Sequence, residues 1–431
     1  MPSSRAMTEA FLQYVWRHRL LEGPLETVGG LPVVVERPGE LNRDAGPDFF
    51  DARVMIGDIR WAGNVEVHVK ASDWKAHRHS EDKAYNNVIL HVVYRYDTDV
   101  VLENGKVVPT VEIAGAIPER VMANYEKLMQ PETGDEIGCA PWLPTIPSFL
   151  MQISQERLVV ERLERKSGDV QRILEETRGG WEEACYWLVA HYFGGKANAF
   201  PFELLAKRTP LQVLAKMRDD AFRVEALLYG QAGLLEGEFA DEYPKAMQRE
   251  YDYQRQSYRL TPIEGHLWKF FRLRPVSFAT LRISQFAQLI VRSHSLFSVL
   301  LETREVATLR ELFEVQASDY WQTHYTFDRE TKQHGTTLGK SVIDTILINA
   351  WVPLLFQYGV QHGEEERKEQ ALALLQQLPP ENNRIVRLWR QLGVTADNAA
   401  ETQALIQRYN EYCAAKRCLD CPLAFKLIKG K

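Results

Sequence analysis

Residues 41–93 read LNRDAGPDFFDARVMIGDIRWAGNVEVHVKASDWKAHRHSEDKAYNNVILHVV, and their pattern decides how the rest of the chain is understood. Asn64, Glu66, His68 and Lys70 alternate with Val65, Val67 and Val69. Successive side chains of a strand point to opposite faces, so the valines are expected in a core and the four polar groups in a row facing the other way. Gly57-Asp58 divides this run from residues 51–56, which predicts a hairpin of 51–56 with 59–70. Residues 88–96, VILHVVYRY, predict a buried strand. Pro47-Asp48 comes just before the hairpin, and Asp73, His77, His79 and Asp82 follow it.

Two carboxylates meeting at adjacent strand ends can share a hard divalent cation, so Asp48 and Glu66 are expected to hold Mg²⁺ or Mn²⁺. Such an ion lowers the pKa of a bound water and neutralises charge in a phosphoryl displacement. His68 or Lys70 would handle the attacking water, with Asn64, Asp73, His77 and His79 in support. His-x-His beside acids also suits Zn²⁺ or Mn²⁺. Imidazoles that change charge near pH 7 can instead move protons. The plainer reading of the same residues is a polar loop with surface histidines and a core His91.

Working outward, 7–21 predicts a helix with Phe11, Val15 and Leu20 on its apolar side, and 31–36 a short strand. Residues 107–113 predict a strand and 117–129 a helix. The order α-β-β-β-(α)-β-β-α over residues 1–130 implies a mixed sheet with flanking helices, an α/β domain. Pro131, Pro141, Pro144 and Pro147 make 131–147 the expected linker. From 148 to 431 the periodicity is helical. Thr209-Pro210-Leu211-Gln212 and Thr261-Pro262-Ile263-Glu264 have the form of capping boxes and predict two helix starts.

At 431 residues, with 45 % hydrophobic and 26 % charged content, the chain has the composition of a globular protein of two or three domains. Its net charge of −6 supplies no overall basic field for nucleic acid, although a local groove would suffice. The N-terminal residues lack the apolar run of a signal peptide. The most apolar window, 341–360, contains Asp344, Asn349 and Pro353, so it is expected as a buried helix and no membrane span is expected. Five cysteines do not suggest a disulfide framework, and a cytoplasmic location is expected. Cys413, Cys418 and Cys421 are spaced closely enough to form part of a metal site, with Cys139 available as a fourth thiolate, for Zn²⁺ or [4Fe–4S]. Cys185, in WEEACYWLVA, is expected in the core.

The arrangement Pro47-Asp48, hairpin, Glu66-x-His68 resembles the PD-(D/E)xK nuclease superfamily. That resemblance implies a restriction-endonuclease-like fold and a Mg²⁺-dependent nuclease, with Asp48 and Glu66 as the metal-binding acids. His68 stands where the superfamily has its lysine, Lys70 is a displaced substitute on the same face, and Glu9 is a helix-borne acid able to assist. The whole chain is also similar to an uncharacterised bacterial domain-of-unknown-function family of Bacteroidetes type. This second resemblance rests on GPDFFDA at 46–52, GNVEVHVKASDW at 63–74, HRH at 77–79, ILHVV at 89–93, RPVSFATLRISQFA at 274–287 and the C-terminal YCAAKRCLDCP. The expectation is a metal-dependent nuclease acting on DNA or RNA, its helical domain gripping substrate or a protein partner. The other reading is a non-catalytic nucleic-acid-binding or scaffold protein with a nuclease-like fold.

Overall fold

The computed structural model describes residues 7–130 and 136–430. Helix α1 (Glu9–Arg17) starts at Thr8, whose hydroxyl accepts from the Phe11 N–H at 3.2 Å, and it buries Phe11, Leu12, Val15 and Trp16. Strands β1 (Leu25–Glu26), β2 (Pro32–Arg37), β3 (Glu40–Leu41), β4 (Phe49–Ile56) and β5 (Ile59–Lys70) follow. Then come the one-turn helix α2 (Asp73–Ala76), β6 (Val88–Arg95), β7 (Thr110–Glu112) and α3 (Glu119–Met129).

The seven strands form one sheet in the order β1-β2-β4-β5-β6-β7, with β3 paired to β4. Pairing is antiparallel from β1 to β5 and parallel from β5 to β7, so the sheet is mixed as expected. The β4–β5 hairpin turns at Gly57-Asp58, where Gly57 has φ +58°, a backbone that glycine adopts without steric cost. The parallel β5–β6 pair needs a crossover, and residues 71–87 supply it with α2 and two short 3-10 turns. Trp74 and Tyr85 from this crossover pack with Ala71, Val88 and Val93, which closes the sheet face beside β5.

The described chain divides into two compact units, and each is treated separately below. One comprises the residues up to 154 together with 391–394 and the tail from 408. The other comprises 155–390 and 395–407. Sequence periodicity assigns all of 148–431 to one helical domain, but the tail belongs with the sheet-bearing unit. The contacts are specific: Asn124 Nδ2 donates to the Ile428 carbonyl at 3.2 Å, Arg43 pairs with Asp420 at 3.1 Å, and Leu427 and Ile428 are buried.

The second unit is helical, as the periodicity predicts. Trp181–Phe193 is one of its buried helices, and Cys185 lies in its core. Lys340–His362 is long and apolar enough to cross a membrane by length and composition, yet 72 % of its apolar window is buried, as in the core helix of a soluble protein. A helix does start after the first Thr-Pro, at Leu211–Ala215, but neither expected capping box forms. The Thr209 hydroxyl instead donates to the Leu205 carbonyl at 2.8 Å and closes the helix before it. At Thr261–Pro262 the chain is extended because the Ile263 N–H donates to the Gln231 carbonyl at 2.8 Å, and only a 3-10 turn, Gly265–Leu267, follows. A local bond back to the preceding helix takes the first hydroxyl, and a tertiary bond holds the second segment extended. Arg282 is buried against Gln285, and the Tyr251 hydroxyl donates to Gln231 at 2.8 Å.

Gly63 fixes the spacing of β5 and β6. A Cβ there would lie 2.5 Å from Ile89 Cγ2 and 2.6 Å from the Asn87 carbonyl oxygen. Gly63→Ala is expected to destabilise the chain by about 1–3 kcal/mol through overpacking. Gly29→Ala, whose nearest neighbour would be 3.8 Å away, should stay within about 0.5 kcal/mol. Urea unfolding of the two variants checks this.

Candidate metal centre

Phe49 pairs with Val65 in the β4–β5 register, so Asp48, one residue before β4, arrives beside Glu66 and Val67. The two acids are then bound to each other's backbone. The Asp48 N–H donates to Glu66 Oε2 at 3.0 Å, and the Val67 N–H donates to Asp48 Oδ2 at 3.0 Å. Gln13, on α1, donates from Nε2 to Asp48 Oδ1 at 2.8 Å. This arrangement leaves Glu66 Oε1 aimed away from the hairpin, toward the imidazoles.

Glu66 and His68 are two apart on β5 and share a face, as the alternation requires. That face is not solvated: Glu66 is 4 % and His68 1 % exposed. The crossover covers it. His79, buried, stacks on Tyr85 with ring centroids 3.8 Å apart, and Trp74 packs edge-on against His68 and His79. His79 Nε2 lies 3.2 Å and His68 Nε2 3.5 Å from Glu66 Oε1. His77, the exposed member, places Nδ1 3.1 Å from His68 Nε2. The ligand atoms of His68, His77 and His79 all lie within 4.8 Å of one another. His79 Nε2 is buried with no hydrogen-bond partner, despite its approach to Glu66.

These separations bear on metal binding. Ligands at ~2.0–2.1 Å from a tetrahedral ion sit roughly 3.3–3.4 Å apart. The 3.1, 3.2 and 3.5 Å spacings around Glu66 and His68 bracket that value. An orphaned buried imidazole nitrogen costs free energy unless something occupies it. The residues present therefore fit a divalent cation.

Protonation states agree. Burial, followed by the neighbouring imidazoles, holds His68 down at about 2, and burial holds His91 at about 3, so both rings are neutral and able to bind metal at neutral pH. His68 Nδ1 is 2.8 Å from Nε2 of His91, which lies across the parallel β5–β6 pair from Glu66. A proton on His68 Nδ1 leaves its Nε2 lone pair facing the cluster. Burial, then the charge of Glu66, pushes Asp48 up to about 7 against the opposing hydrogen bonds from Gln13 and Val67. Burial likewise raises Glu9, which lies within electrostatic reach of His77, Asp73, Glu66 and His79.

The structure gathers Asp48, Glu66, His68, His77 and His79, with Glu9 at the margin. Lys70 does not join them. It is exposed, and its charge acts instead on Asp97, whose carboxyl is held low mainly by the Ser72 hydroxyl. Asp73 serves locally, accepting the Lys70 N–H at 2.8 Å. Asn64 is half-buried at the start of the row, and its N–H donates to the Asn87 carbonyl at 2.9 Å. Sequence reading missed Gln13, although it sits four residues after Glu9 and so shares that helix face. Elsewhere in the same unit, Cys139, Cys413, Cys418 and Cys421 line one cavity.

The sheet-bearing unit is thus a mixed α/β fold with a buried carboxylate–imidazole cluster. The family described as protein of unknown function (DUF2851) matches residues 9–384, and the chain belongs to that family. No curated protein and no solved structure matches it.

The raised Asp48 has a measurable consequence. Between the ordinary carboxylate value and about 7 the folded chain keeps a proton that the unfolded chain releases, so this group makes the metal-free fold less stable as pH rises through that window. Asn at 48 would escape this, and a flip of the Gln13 amide would preserve both hydrogen bonds. In chelator, the melting temperature of Asp48→Asn relative to wild type is expected to climb between about pH 5 and about pH 8. A flat difference would contradict the assignment.

Proposed function

We propose that the chain is a divalent-metal-dependent hydrolase of phosphodiester bonds in DNA or RNA, built on a restriction-endonuclease-like N-terminal unit. The reading is carried by the convergence of Glu66 Oε1 with the nitrogens of His68 and His79, next to His77 and Asp48. Element order adds support: a leading helix, a hairpin with an acid at the start of one strand and another acid within the next, then a short helix and a parallel strand. Imidazole ligands favour Mn²⁺ or Zn²⁺ over the Mg²⁺ that two carboxylates alone would suggest.

A cation bound at Glu66 and the histidines would polarise a phosphoryl oxygen and lower the pKa of a water beside it. Asp48, with its carboxyl near 7, is suited to take that water's proton and release it to solvent. Gln13 and the Val67 N–H keep its two oxygens oriented. His68 Nδ1 is engaged with His91, which leaves Nε2 turned toward Glu66 and the other imidazoles, so His68 would serve as a ligand rather than in the role of the superfamily's lysine. Substrate class is supported by a cavity of about 390 Å³ reaching Gln13, to which Arg17 and Lys416 contribute cations suited to phosphates, while Arg417 in the same wall is paired with Asp420 at 3.2 Å. The second reading, a nucleic-acid-binding protein without turnover, is favoured by the one departure that remains: Lys70 is exposed and stands outside the cluster.

The test uses full-length protein stripped with chelator and resupplied with Mn²⁺, Zn²⁺ or Mg²⁺, on single- and double-stranded DNA and RNA. Cleavage should return with Mn²⁺ or Zn²⁺, fall to background in Glu66→Ala, and drop by about 10²–10⁴-fold in Asp48→Asn, the range for losing a general base. Cleavage that survives chelator or Glu66→Ala would overturn the proposal. Metal binding without cleavage of any substrate would select the binding-only reading.

A further inference from the structure

The second cluster in the sheet-bearing unit is made of sulfur. Cys139 follows α3, whereas Cys413, Cys418 and Cys421 come from the tail, some 270 residues later in the chain. The fold brings all four to the wall of one cavity, with Leu128 and Leu427 giving it apolar sides. Arg408, fully buried, also lines it. We propose that Cys139, Cys413, Cys418 and Cys421 ligate a [4Fe–4S] cluster that ties the tail to the sheet-bearing unit.

Room is the first argument. The cavity lets a water-sized sphere wander over about 20 Å³. That is open space between the walls, enough for about one water. A zinc ion would draw four sulfurs to ~2.3 Å and leave no space between them. Among the described residues, the three-ligand group closed to within 4.8 Å is the histidine one. Four thiolates around a space rather than a point suit a polynuclear core.

Charge is the second argument. Four thiolates on a [4Fe–4S] core leave a net negative charge, and the Arg408 guanidinium in the wall opposes it. Each Sγ–Fe bond formed on cluster binding would release that sulfur's proton to solvent. The Cys413–Cys421 segment also carries Lys416, Arg417, Leu419 and Asp420, which line the cavity beside Gln13. The cluster would therefore brace one wall of the candidate substrate cavity, although its presence does not depend on any activity there.

Iron, zinc and acid-labile sulfide are to be measured on full-length protein purified without oxygen, with electron paramagnetic resonance after reduction. The expected result is about four iron and four sulfide per chain, with the spectrum of a reduced cubane. Cys413→Ala and Cys421→Ala should each lose most of that iron and sulfide. Cys185→Ala and Glu66→Ala should keep both, which separates this site from the histidine centre. Zinc without sulfide, absence of metal from the wild type, or full iron in both tail variants would overturn the proposal. The wild-type measurement stands even if a variant fails to fold.

Discussion

Two carboxylates that repel one another are held together by the backbones of each other's strands, and the rest of the candidate centre depends on that clasp. Asp48 Oδ2 accepts from Val67, and Glu66 Oε2 accepts from Asp48. Hydrogen bonds to a charged acceptor are among the stronger ones, and here they spend one oxygen of each acid on structure. The other Glu66 oxygen is thereby fixed toward His68 and His79. A one-residue slip of the hairpin would send every group of this row to the opposite face of the sheet. The Phe49–Val65 register and the Gly57 turn are therefore as much a part of the site as its ligands.

The clasp leaves a strain that only a positive charge relieves. Asp48 is held near 7 by burial and by Glu66, while no proton is available from His68, which is held neutral by burial and its neighbours. Imidazoles gathered on a buried carboxylate, His68 among them neutral, form a donor set poised for a cation, and the orphaned His79 nitrogen points the same way. Natural proteins hold such frustrated polar groups where function requires them.

Much of this was legible in residues 64–70. Alternation put Glu66 and His68 on one face, the Gly57-Asp58 turn set the hairpin, and Pro47-Asp48 lay at the right distance to return beside it. Legibility failed wherever the partner came from another element. Gln13 reaches Asp48 from α1, and His91 meets His68 only because β6 runs parallel to β5 in a particular register. Lys70 shares the parity of Glu66 but lies past the covered part of the strand, so parity alone misjudged it. The second Thr-Pro failed for a related reason, since the distant Gln231 carbonyl claimed the Ile263 N–H, whereas at the first the Thr209 hydroxyl turned back to the preceding helix. The cysteines show the reverse case. Their spacing suggested a site, and the return of the tail to the first unit brought all four to one cavity.

The central claim is that a divalent cation sits on Glu66 and the histidines. Anomalous diffraction from a crystal of the full chain soaked in Mn²⁺ or Zn²⁺, collected on either side of the metal's absorption edge, tests it most directly. The account predicts a peak within ~2.0–2.2 Å of Glu66 Oε1, His68 Nε2 and His79 Nε2. A well-ordered crystal with no peak there, or with the metal bound elsewhere while those three atoms keep their present contacts, would contradict it.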